Sequence, residues 1–135
     1  MAATSTLTAW ILLIFGLYSI GAAIGELRRP GTWARMMWEV EQSNALQFLI
    51  GFMVLVVGAV IYLVNPYNPS DWQSILVTVL GGFMMIEGFA FLAFPDWMVR
   101  LARSMMSASG AIWAWLALAI GVGLIFMAYV RLLAN

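Results

Sequence analysis

Four long apolar runs dominate the chain, at residues 7–25, 44–64, 73–94 and 110–133. Each is close to the roughly 20 residues needed to cross about 30 Å of hydrocarbon at 1.5 Å rise per residue. None alternates with period two, and a backbone in lipid must satisfy its own hydrogen bonds, so the runs predict four transmembrane α-helices. The expected fold is an all-α membrane protein forming a single transmembrane domain over residues 1–135.

The polar punctuation between runs is of two kinds. In the NPYNPSD turn at 65–71, Asn65-Pro66 and Asn68-Pro69 stop the second helix, and Ser70 with Gln73 has the capping-box spacing that would start the third. The other two links are longer and mixed in polarity. Trp33, Met36, Met37 and Val40 recur at i, i+3, i+4 and i+7, as do Met98, Leu101, Ala102 and Met105. Each link therefore predicts a short amphipathic helix lying on the membrane surface.

Sliding the chain by 65 residues without a gap puts Gly16 on Gly81, Pro30 on Pro95, Arg35 on Arg100 and Gly58 on Gly123, and superposes the two amphipathic stripes. The expectation is an internal repeat: two parallel helical hairpins, unit 1 at about 5–65 and unit 2 at about 70–130. Two spans per unit bring the second copy into the membrane in the same direction as the first.

Composition narrows the function classes. The chain is 64% hydrophobic and 9% charged, against about half and about a quarter in soluble domains, so four spans leave no length for a separate soluble domain. Its zero net charge supplies no field for nucleic acid. Cysteine and histidine are both missing, which removes disulfides, thiol chemistry, zinc sites and His-ligated haem. No positive charge precedes the first run, so it is expected to be a retained helix and not a signal peptide. The lack of lysine suggests a high-GC bacterial source.

Arginine placement sets an expected direction. Arg28, Arg29 and Arg35 fall in the first link and Arg100 and Arg103 in the last, with Arg131 alone near the other side. Positive loops stay inside, so the links are expected to be cytoplasmic and both termini periplasmic. Trp10, Tyr62, Tyr67, Trp72 and Tyr129 would form the outer aromatic belt, and Trp33, Trp38, Trp97, Trp113 and Trp115 the inner one.

The second unit carries Glu87-Gly88 near the end of a span, Pro95 eight residues after the glutamate, Trp97 and Arg100 in a basic link, and Gly121 and Gly123 in the next span. The first has Ala22-Ala23 in place of Glu-Gly but keeps Pro30, Arg35, Gly51 and Gly58. In these features each unit resembles the YjeT-like family of small two-helix bacterial inner-membrane proteins. The resemblance implies a tandem fusion in a bacterial inner membrane. It implies no activity.

Glu87 is the candidate site residue. It is the ionisable group well inside a span, about 12 Å from Pro95, and a charge at that depth costs a few kcal/mol or more. A proton relay, a cation ligand, a subunit contact, or a protonated group bonded internally to Ser19, Tyr18 or a tryptophan would each explain it. Helix packing is expected at Gly21 and Gly25, a GxxxG, and at Gly51, Gly58, Gly88, Gly121 and Gly123, where small side chains permit close backbone approach. Arg28, Arg29, Arg35, Arg100, Arg103, Trp33 and Trp97 are the expected lipid and interface residues. Arg35 with Glu39 and Asp96 with Arg100 stand at i, i+4, which would partly neutralise both basic links and argues against a dedicated head-group site on either.

No cofactor is expected beyond lipid contacts, with a pigment or quinone against the methionines and tryptophans left open. The leading expectation is a non-catalytic accessory or scaffold subunit of a larger membrane complex, respiratory or photosynthetic, whose partners are lipids and other membrane subunits. The alternative is a small homo-oligomeric, proton-coupled transporter using Glu87. An enzyme is not expected, since no second intramembrane carboxyl stands ready to pair with Glu87.

Overall fold

The computed structural model describes residues 2–106 and 110–134, and among these the chain is helical without strands. In order the helices are α1 (Ala2–Arg28), α2 (Thr32–Glu41), α3 (Asn44–Val64), α4 (Trp72–Ala93), α5 (Pro95–Met106) and α6 (Gly110–Ala134). Four of them, α1, α3, α4 and α6, are long and apolar enough to cross a membrane. The short α2 and α5 are the amphipathic links, and they meet each other at one end of the bundle.

The helix boundaries have local causes. Gly31 sits at φ +92°, a left-handed conformation that glycine adopts without a Cβ penalty, and it turns the chain from α1 into α2. Ser43 caps α3, its hydroxyl accepting from the Leu46 amide at 3.1 Å. Pro95 opens α5 at the first helical position, where its missing N–H costs nothing. The expected Ser70–Gln73 capping box does not form. Asp71 caps α4 instead, accepting from the Gln73 amide at 3.2 Å, while the Ser70 amide donates to Asn68 Oδ1. A carboxylate one residue closer to the helix outcompetes the serine.

The close pairs are α3 with α4 and α1 with α6, both antiparallel. They join helices of different predicted units, so the tight contacts are not made inside the two sequence hairpins. The hydrophobic effect does not drive association in lipid, and approach depends on small residues instead. In one pair Gly51 meets Gly88 and Gly58 meets Gly81, and in the other Gly16 meets Gly121. These positions belong to seven-residue series: 51, 58, 65 against 88, 81, 74, and 9, 16, 23 against 128, 121, 114. All twelve residues in the series are buried. A seven-residue repeat holds one face of a helix against its partner along the whole contact.

Buried positions Ala9, Leu12, Gly16, Ala23 and Glu26 of α1 recur 65 residues later as Ser74, Val77, Gly81, Gly88 and Phe91 of α4. For α3 and α6 the offset is 63: Gly51 and Gly58 correspond to Ala114 and Gly121. The ungapped shift, which matched Gly58 to Gly123, therefore fails in the last helix. The two pairs meet near the α3–α4 turn, where Ile11, Leu12, Ile61, Val77 and Ala128 form the apolar core.

Candidate functional site

Among the described residues, most buried polar groups inside the spans are consumed by the fold, whereas the Glu87 carboxyl is not. Near the α3–α4 turn, Asn65 accepts from the Thr8 hydroxyl at 2.8 Å and donates its amide hydrogens to the Ser74 carbonyl at 3.0 Å and to Thr78 Oγ1 at 2.8 Å. Ser74 in turn donates to the Pro66 carbonyl and accepts from the Asn68 amide. The cluster ties α1, α3, α4 and the turn together, and each member has a partner, as buried polar groups require. Deeper in the bundle, Ser19 donates to the Ala117 carbonyl of α6 at 2.6 Å.

At the same end as the α3–α4 turn, Arg131 of α6 grips Asp71 through both guanidinium nitrogens, with one contact at 3.0 Å, and also reaches Gln73 Oε1. This is the bidentate geometry that makes arginine–carboxylate pairs strong. The Arg131 hydrogen bonds hold the Asp71 carboxyl below its ordinary range, against the opposing effect of burial. The sequence reading gave Arg131 no role beyond topology.

Glu26 was also missed. It is 4% exposed, and its carboxylate accepts from the Gly31 amide at 3.0 Å and the Trp33 amide at 2.9 Å, so that it caps α2 from the end of α1. A Cβ on Gly110 would stand 2.7 Å from Glu26 Oε2, which places the start of α6 against the same carboxylate. The signal was an acid at the end of a span, followed by Pro30-Gly31 and a second helix.

Glu87 differs from these acids. It lies on α4 about 9 Å before the Ala93 end, partly buried, its carboxyl without a hydrogen bond or ion pair to any described residue. Neither Ser19, Tyr18 nor a tryptophan serves as its internal partner among the described residues. Ser19 is committed to Ala117, and Tyr18 is 75% exposed on the outer surface of α1. Glu87 follows the outward-facing Phe83 and Ile86 and precedes Gly88, which is pressed against α3. It stands at the border between the packed and the lipid-facing surface of α4.

Of the other expected residues, Gly51, Gly58, Gly88 and Gly121 sit in close helix contacts. Gly21, Gly25 and Gly123 do not: nothing lies within 4 Å of a Cβ at any of them. They fall outside the seven-residue series and face outward. Gly16 and Gly81, noted in the sequence only as matches between units, hold those contact positions.

In the links, Asp96 and Arg100 pair at 3.3 Å as expected, and Arg103 Nε lies 3.0 Å from Glu41 Oε1, an ionic contact without a directed hydrogen bond that joins α5 to α2. Arg35 does not pair with Glu39. Its Nη2 donates to Thr32 Oγ1 at 3.2 Å. Trp33 is partly buried and Trp97, 64% exposed, stacks on Phe94 with ring centroids 5.3 Å apart. On α5 Val99 is buried against the protein, while Leu101 and Met105 of the expected stripe face outward.

Between α1 and α3 the two pairs part, leaving an open apolar cleft of about 620 Å³ lined by Ile14, Phe15, Tyr18, Met53, Val57 and Met84, among others. Its walls suit hydrocarbon. The Tyr18 hydroxyl is the polar group on its lining.

No protein family, curated protein or solved structure matches this chain.

Proposed function

We propose that this chain is a non-catalytic accessory subunit of a larger bacterial membrane complex, respiratory or photosynthetic in kind, and that the α4 surface around Glu87 is where it docks. The observation that carries the reading is the contrast between Glu87 and its neighbours in the spans. Thr8, Ser19, Asn65 and Ser74 all have internal partners, whereas Glu87 has none among the described residues. A carboxyl in hydrocarbon without a partner costs a few kcal/mol, and a neighbouring helix offering a donor at that depth would remove the cost.

The carrier reading draws on the same residue but needs a relay of polar groups, and the hydroxyls of Ser19 and Ser74 are committed as donors to backbone carbonyls. Catalysis lacks support for a similar reason. The Glu26 carboxylate at the end of α1 is occupied by two amides.

Within this proposal the chain arose by fusion of two YjeT-like units, supported by the 65-residue recurrence of buried positions between α1 and α4. The arginine-bearing links face the cytoplasm of a bacterial inner membrane and both termini face the periplasm, supported by the positive-inside asymmetry.

The test compares wild type with Glu87→Leu, each tagged at the C-terminus, extracted from native membranes in mild detergent and resolved on a native gel with mass spectrometry of co-migrating proteins. Wild type is expected in a stoichiometric large complex. Glu87→Leu is expected to leave that complex while unfolding no more easily than wild type, and up to about 3 kcal/mol less easily, because the unpartnered carboxyl is gone. Migration of wild type as a monomer or small homo-oligomer would overturn the proposal, and a proton flux in liposomes abolished by Glu87→Gln would put the carrier in its place.

A further inference from the structure

The two amphipathic links carry similar arginines but different electrostatics. On α5, Arg100 is paired with Asp96, and Arg103 is paired across to Glu41 of α2. At the α1–α2 corner, Arg28, Arg29 and Arg35 are exposed and none has an acidic partner within ion-pairing distance among the described residues. The acids nearest in sequence make no ion pair with them, although the Glu26 charge acts on Arg35 from beyond that distance. Glu39 is exposed and unpaired on α2, and the Glu26 carboxylate is buried and turned onto the Gly31 and Trp33 amides.

The turn at the corner is closed by hydrogen bonds. The Thr32 amide and hydroxyl both donate to the Arg29 carbonyl, at 3.1 and 2.6 Å, and Arg35 Nη2 reaches that same hydroxyl. Arg35 Nη1 passes 3.4 Å from where a Cβ on Gly31 would lie, so its guanidinium folds back over the turn toward Arg29. Met36 and Trp38, 49% and 62% exposed, flank Arg35 with apolar surface. Three guanidinium groups at the end of a span, beside outward-facing apolar side chains, match a phosphate at the head of acyl chains.

We propose that the α1–α2 corner, through Arg28, Arg29 and Arg35, is a binding site for the head group of an anionic phospholipid, and that α5 is not. The site is independent of the role proposed for Glu87. Each basic side chain near an anionic head group strengthens binding about five-fold, and the bond that places Arg35 over the turn spares part of the ordering entropy.

The full chain, purified in micelles containing equal amounts of phosphatidylglycerol and phosphatidylcholine, is examined by native mass spectrometry for retained lipid. Wild type is expected to retain phosphatidylglycerol preferentially. The triple variant Arg28→Gln/Arg29→Gln/Arg35→Gln is expected to lose at least about ten-fold of that preference, and Arg100→Gln/Arg103→Gln less than about two-fold. Should the triple variant not fold, Arg28→Gln and Arg29→Gln alone must each lower the preference measurably. Equal losses from the two links, or no loss from the corner variants, would overturn the proposal. So would full displacement of the lipid by millimolar inorganic phosphate, which would mark the corner as a site for the free anion.

Discussion

In α3 and α4 the facing residues along the contact are Gly51 with Gly88, Gly58 with Gly81 and Asn65 with Ser74, whereas in α1 and α6 the same register sets Ala23 against Ala114, Gly16 against Gly121 and Ala9 against Ala128. The first pair thus approaches backbone to backbone twice and closes with a hydrogen bond. The second does so once and carries methyl groups above and below. Both pairs use a seven-residue rhythm, but they leave different amounts of room. An added Cβ on Gly88 would run into the Leu55 backbone nitrogen and Cα, and one on Gly58 would stand 2.7 Å from Met84 Cβ and 2.8 Å from the Met85 nitrogen. On Gly121 the nearest atom is Ile20 Cγ1 at 2.6 Å, with the Gly16 carbonyl oxygen next at 2.9 Å, so the backbone obstructs there too but stands farther off than at Gly88.

The largest expected effect follows from that difference. Gly88→Ala should destabilise the chain by about 3 kcal/mol and Gly121→Ala by about 2 kcal/mol, both within the range of overpacking, because backbone must move at each and lies closer at Gly88. Unfolding in micelles followed by circular dichroism gives both values. Equal losses would show that the α1–α6 pair is packed as strictly as α3–α4.

What the sequence made legible separates along the same physical line. The spans, the proline-marked turn and the amphipathic links follow from composition and period, which are properties of single helices, and the structure has all of them. Which helices pair depends on where small residues face, and GxxxG spacing does not put Gly21 and Gly25 in a contact within the described residues because it says nothing about direction around the helix. Gly16 and Gly81 become recognisable only within the seven-residue series that runs through Ala9, Ala23, Ser74 and Gly88. Side-chain partners were the least legible. Arg35–Glu39 and Asp96–Arg100 have identical spacing, yet only the second pairs, since Thr32 offers Arg35 a nearer acceptor.

A second, smaller effect distinguishes the ends of the two pairs. The last turn of α6 is fastened to the α3–α4 turn by Arg131 on Asp71, while the other end of α6 abuts Glu26. Because Arg131 lowers the folded-state pKa of Asp71, the carboxylate contributes stability that is fully present above its unfolded pKa of about 3.9 and is lost as pH falls through the lower folded value. Asp71→Asn should cost about 1.5 kcal/mol at neutral pH, the range for a hydrogen bond to a charged group, and should flatten the acid limb of the stability profile. An unchanged limb would assign acid sensitivity to another carboxyl. Glu26 would be the first to examine.

The smallest effect is the most informative about partners. Gly21, Gly25 and Gly123 face outward with no atom near a would-be Cβ, so replacing each with alanine should leave the isolated chain within about 1 kcal/mol of wild type and tend to stabilise it, since glycine is the poorer helix former. A clear loss of stability at Gly21 or Gly25 would mean that α1 packs more closely inside the chain than its outward position allows. Unchanged stability, together with loss of a co-purifying protein from native membranes, would mean that the α1 glycines admit a foreign helix. That result would set a second docking face beside the one at Glu87, and each member of the antiparallel pairs that keeps its glycines inward could then be separated experimentally from those that turn them out.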